Sequence, residues 1–110
     1  VIHVPTDFII VLVTTKDKAE AEKISQTLLL EKLIACANII SPVASCFWWQ
    51  DKVDRAEECL VIMKTRKSLF GEVQLRVKAL HSYEVPEVLA LPIVDGSEAY
   101  LSWMSSVLRQ

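Results

Sequence analysis

An α+β fold in the order β-α-β-β-α-β, closed by one more helix, follows from three observations. Apolar residues alternate between unbroken β-branched runs and stripes spaced three and four apart, in that order. Two long strand-like runs, Ala35–Trp49 and Val53–Thr65, are separated only by the polar Gln50-Asp51-Lys52, as in a hairpin. No repeat, low-complexity tract or linker breaks the 110 residues, which hold only two glycines and four prolines, so 1–110 reads as a single domain. With the helices on one face of an antiparallel sheet, this is a ferredoxin-like sandwich with a long central hairpin and a C-terminal helix.

Each element has its own warrant. Asp7–Thr15 (DFIIVLVTT) is almost wholly apolar and β-branched, the pattern of a central strand buried on both faces. Asp17, three residues before Glu20, opens a helix in capping-box fashion. Ala21, Ile24 and Leu28 form the buried stripe of that helix, which is expected to run to about Leu33. Ser41-Pro42 interrupts the next strand, and proline cannot donate to a ladder, so a bulge or an edge position is expected there. Ser68 opens a second helix with Phe70, Val73, Val77 and Leu80 inward, ending near His81-Ser82. Val88–Val94 is a short strand, and Asp95-Gly96 turns the chain. Ser97 caps a last helix with Tyr100, Leu101, Met104 and Leu108 on one side.

Composition narrows the function. Hydrophobic residues make up 52% of the chain, which excludes disorder and exceeds what so small a domain can shelter alone. The formal charge of -2 offers no basic field, so nucleic acid is not an expected partner. No apolar run approaches the roughly 20 residues of a membrane helix, so membrane insertion is not expected either. Cys36, Cys46 and Cys59 form no secreted framework and no CxxC knuckle, which points to reduced thiols in the cytoplasm. The numbering opens at Val1, so an upstream targeting segment stays open.

The hairpin argues for self-association. A strand of about 14 residues spans about 45 Å at roughly 3.3 Å per residue, against a body of radius of gyration near 13 Å. Phe47, Trp48 and Trp49 near its tip point alternately to both faces. Either the tryptophans pack on their own sheet, or a second copy covers them in a closed ring.

Three groupings could carry chemistry. His81-Ser82-Tyr83-Glu84-Val85-Pro86-Glu87 gathers an imidazole, a phenol and carboxylates in a loop; His81 there is either a helix C-cap or a ligand. Cys36-Ala37-Asn38 offers a thiol that is either buried and inert or a ligand for a soft ion. Lys64-Thr65-Arg66-Lys67 is either a solvated basic turn or an anion site. His81 with Glu84 could exchange protons, but no nucleophile or oxyanion donor accompanies them, so no enzyme is expected.

VLVTTKD, IACANII, FWWQDKV, EECLVIMKTR, HSYEVPEVLALPI and YLSW, in this order, resemble the CutA family of divalent-cation tolerance proteins from about Phe8 to Trp103. Cys36 and Asn38 stand in its ACxN pattern, and Lys64-Thr65 in its KT pair. His81, Tyr83, Glu84, Pro86 and Glu87 match its HPYExPE stretch, and Tyr100 and Trp103 its YLxW end. The resemblance implies the same fold, a homotrimer, and tolerance to copper and other divalent cations. Ser82 replaces a proline, Asp51 the hairpin glycine, and Lys16 another common proline. Val13 and Leu80 stand where some members carry Cys and a second His, so any copper binding here is expected to be weak.

The expectation is thus a metal-binding homotrimer with divalent cations, copper among them, at clefts between subunits, and His81, Cys36 and Glu84 as candidate ligands. The alternative is a small-ligand sensor resembling nitrogen-regulatory signal transducers, or a protein-interaction trimer, as in the cholinesterase anchoring linked to animal members. Lys64, Tyr83, Glu84, Trp49 and Asn38 would line its cleft. Phe47, Trp48, Trp49, Tyr100 and Trp103 are the expected trimer interface.

Overall fold

The computed structural model describes residues 6–110. Its elements are β1 (Phe8–Thr15), α1 (Lys18–Leu30), β2 (Cys36–Trp49), β3 (Lys52–Arg66), α2 (Phe70–Leu80), β4 (Val88–Pro92) and α3 (Glu98–Val107). The strands form one antiparallel sheet in the order β2-β3-β1-β4. That is the ferredoxin-like arrangement. Val11 and Val13 of β1 and Val61 and Met63 of β3 meet Ile24 and Leu28 of α1 and Val73 and Val77 of α2 in a common core, all fully buried.

Several boundaries differ from expectation, each for a local reason. Helix α1 stops at Leu30, not Leu33, because Lys32 takes a left-handed conformation (φ 59°). The Leu33 N–H then reaches the Leu28 carbonyl and the Lys32 N–H the Leu29 carbonyl, a Schellman ending that still buries Leu33 against the core. Ser68 does not cap the second helix; the chain enters through one 3-10 turn, Lys67–Leu69, and α2 begins at Phe70. In α3, Leu101 and Met104 face inward but Tyr100 leaves the stripe and pairs with Trp103, ring centroids 5.3 Å apart, both partly exposed. Ser97 caps α3 as expected, accepting from the Tyr100 N–H.

Strand β1 is not buried on both faces. Ile9, Val11, Val13 and Thr15 lie under the helices, while Ile10, Leu12 and Thr14 are only half-buried on the opposite face. The register aligns Ile10, Leu12, Leu60, Ile62, Leu89 and Leu91 on this second face, an open and largely apolar surface. Ile40 at 46%, Leu89 at 55% and Leu91 at 48% exposure show how little of it the chain itself covers.

The hairpin arms are as long as anticipated, 14 and 15 residues. They stretch the molecule to 43 Å and raise the radius of gyration to 14.9 Å. Their register slips between Ile40 and Val43, at the predicted Ser41-Pro42 interruption, where the peptide bond is cis. Gln50 (φ 49°) and Asp51 (φ 62°) make a two-residue turn with both residues left-handed, the geometry that matches strand twist. Trp48 at its end is 76% exposed.

Candidate functional site

The loop between α2 and β4 is held by a buried histidine. His81 is the C-cap of α2, its N–H bonded to the Val77 carbonyl, and its side chain is fully buried. Its Nε2 lies 2.7 Å from the Thr14 carbonyl, which can only accept, so Nε2 carries a proton. Nδ1 accepts from the Tyr83 N–H at 3.0 Å and stands 3.2 Å from Glu20 Oε1. Glu20 therefore does not complete a capping box. Asp17 accepts from the Glu20 N–H, but the Glu20 carboxylate turns to His81 and to the Ser82 N–H. His81 thus ends the helix, as the cap reading has it, and ties the loop to β1 and α1.

Tyr83 carries the loop to the hairpin. Its hydroxyl donates to Glu58 Oε2 at 2.8 Å, and its ring sits 4.8 Å from that of His81. Burial, followed by the hydrogen bond and charge of Glu58, pushes the phenol pKa up to about 12.

A cleft of about 710 Å³ opens between this loop and the hairpin. The two-residue turn fixes which hairpin residues face it: Phe47 lies opposite Asp54 and Trp49 opposite Lys52, and Glu58 is on the same face of β3 as Asp54. Phe47, Trp49 and Tyr83 supply aromatic walls; Asp54, Glu58, Glu84 and Glu87 supply carboxylates, with Ser45 and Cys46 beside them. Among the described residues no Lys or Arg lines the cleft. Among the described residues none of these four carboxylates is in an ion pair.

The expected site residues divide between two places. Tyr83, Glu84 and Trp49 line the cleft. Cys36, Asn38 and Lys64 lie on the open sheet face, where Cys36 pairs with Lys64 and Lys64 with Ile10. From Ile10 to Thr14, which His81 touches, is four residues, about 13 Å along the strand. The Lys64 ammonium bonds Asn38 Oδ1 and approaches Cys36 Sγ at 3.9 Å. Burial, then the neighbouring Cys36, raises the pKa of Tyr100 at this end.

These contacts bear on the expected ligand trio. Within one chain the structure does not bring His81, Cys36 and Glu84 together, and no cluster of three His, Cys, Asp or Glu suited to a metal occurs among the described residues. A neutral His81 has no lone pair left for an ion, because Nε2 donates and Nδ1 accepts. An ammonium beside Cys36 opposes a cation there. Only Glu84 of the trio faces open space suited to one. The anion reading of Lys64 likewise finds it outside the cleft.

Sequence reasoning missed Asp54 and Glu58. Their signal is the parity of β3 counted from the hairpin turn, legible once the register is known.

Fold and cleft define a small antiparallel α+β protein with an acidic lateral cleft and an unsheltered sheet face. Comparison makes this specific: residues 9–107 match the CutA1 divalent ion tolerance protein profile, and the chain belongs to that family. It is 42% identical over 102 residues to "Protein CutA 1, chloroplastic" of Oryza sativa subsp. japonica, a match covering 93% of this chain and 58% of the rice protein. The chain thus spans less than two thirds of that relative. The crystal structure of CutA1 from Oryza sativa superposes with a TM-score of 0.93 at 40% identity, covering 96% of this chain and 97% of that one. The periplasmic divalent cation tolerance protein CutA from Archaeoglobus fulgidus gives 0.90 at 40% identity, covering 93% and 99%. No helix among the described residues is long and apolar enough to cross a membrane.

Proposed function

We propose that the chain is a homotrimeric divalent-cation tolerance protein that holds copper or another divalent cation weakly at lateral clefts, each closed by a neighbouring subunit. The observation that carries this is the cleft with Asp54, Glu58, Glu84 and Glu87, which among the described residues make no ion pair and have no basic residue in their company. Unpaired carboxylates facing one cavity attract divalent ions, and oxygen ligands alone bind transition ions loosely. Glu84 and Glu87 supply the charge from the loop, and His81 acts by positioning that loop. The trimer is supported by the apolar sheet face and by the exposed Trp48 and Trp49. Chemical turnover forms no part of this function. Three free thiols, Cys46 among them exposed, suit a reducing compartment such as the cytoplasm.

Titration calorimetry with Cu(II) and Zn(II) tests the reading. Glu84→Gln/Glu87→Gln is expected to weaken binding about tenfold, and His81→Gln to change it far less. Loss of binding in His81→Gln with none in the double variant would move the ion to the imidazole and overturn the cleft assignment.

A second reading, a sensor of a small ligand, is supported by the volume and aromatic walls of the same cleft. Thermal stabilisation by a small organic molecule with chelator present is its test.

A further inference from the structure

The cleft is built on a larger scale than an ion requires. It encloses about 710 Å³, within the roughly 300–1,000 Å³ of small-molecule sites. Its carboxylates do not converge on a point. Asp54 stands level with Phe47 on the hairpin, and Glu58 lies four residues deeper, about 13 Å along β3. Glu84 and Glu87 face them from the loop. Charge of one sign is therefore distributed around the cavity. Between the carboxylates stand the rings of Phe47, Trp49 and Tyr83, whose faces attract cations and whose bodies accept apolar groups. Within one chain the described lining holds carboxylates and no Lys or Arg, so the charge that lines it favours a cation over an anion.

We infer that this cleft takes a small organic cation, an ammonium or guanidinium group on an apolar body, with its charge against the carboxylates and its body against the rings. The inference rests on the small-ligand reading and gives that ligand its chemical class. Tyr83 links the class to the fold, since the hydroxyl that fixes Glu58 belongs to a ring of the same wall.

Phenethylammonium, titrated into the intact chain in EDTA and followed by thermal shift and tryptophan fluorescence, tests it. Phenylacetate, with the same ring and the opposite charge, is the control. Stabilisation by the ammonium and none by phenylacetate is expected, with the dissociation constant raised about tenfold in Glu84→Gln/Glu87→Gln and again in Trp49→Leu. Light scattering checks assembly of each variant, and a Trp49→Leu chain that disassembles leaves the exposed carboxamide pair to decide. Binding untouched by the carboxamide pair would overturn the inference. A response to phenylacetate alone would overturn the charge class while keeping a ligand cleft; silence toward both would sink the small-ligand reading with it. EDTA separates all of these outcomes from the divalent-ion titration.

Discussion

At the scale of single residues, Tyr83 and Lys32 are the informative positions. Tyr83 has its pKa raised from 10 to about 12 in the folded chain, by burial first and then by Glu58. The neutral phenol is the form the fold favours, so this contribution to stability is complete below pH about 10 and is lost as pH climbs toward 12. Alkaline melting curves are expected to fall across that window, and Tyr83→Phe to flatten the fall. At neutral pH the same variant leaves Glu58 short of a donor and is expected to cost about 1–3 kcal/mol in urea unfolding. Lys32 holds a left-handed conformation that glycine adopts without strain. Lys32→Gly is expected to stabilise by about 0.5–1 kcal/mol, read as a shifted urea midpoint. The Lys32 ending was illegible in the sequence because the apolar Leu28, Leu29, Leu30 and Leu33 continue past the true boundary. His81 was legible as a residue but not as a geometry, since its partners Thr14 and Glu20 lie on elements far away in the chain.

At the scale of elements, the hairpin and the helix ends decide the shape of the site. The turn at Gln50-Asp51 asks two non-glycine residues for positive φ. Asp51→Gly is expected to raise the melting temperature, adding about 0.5–1 kcal/mol, with no change in cleft binding. On the helical side, Arg76 grips Glu31 with two hydrogen bonds at 2.9 and 2.8 Å, joining the end of α1 to α2. That bond, and then the charges of Arg76 and Arg109, hold the Glu31 carboxyl below its usual range. Ser25 is the opposite case, a buried hydroxyl on α1 with no hydrogen-bond partner among the described residues. Ser25→Ala is expected to be neutral or stabilising by up to about 1 kcal/mol in the same unfolding assay. The order of these elements was readable from apolar periodicity together with the caps and turns at Asp17, Gln50-Asp51-Lys52 and Ser97, because strand runs and helical stripes differ with little ambiguity. The open second face of β1 was not, since an apolar strand face left open by its own chain and one covered by its own helices carry the same residues.

At the scale of the molecule, the apolar sheet face and the long hairpin bear on one measurement. With a chain mass of 12.4 kDa, a trimer scatters as about 37 kDa. Light scattering is expected to give that mass for the parent chain and a smaller one for Ile62→Glu, which sets a charge in the middle of the open face. A parent chain that scatters at 12.4 kDa would remove the neighbour from every cleft.

In the proposed trimer, the greasy underside of the sheet would tie the survival of the fold to how many copies are present. Dilution acts as a denaturant for such a surface, and midpoints of unfolding should climb with protein concentration. The same proposed assembly would make heredity unforgiving: a copy damaged on that face and still able to join would spoil the rings it enters, so its harm would outrun its share of the pool.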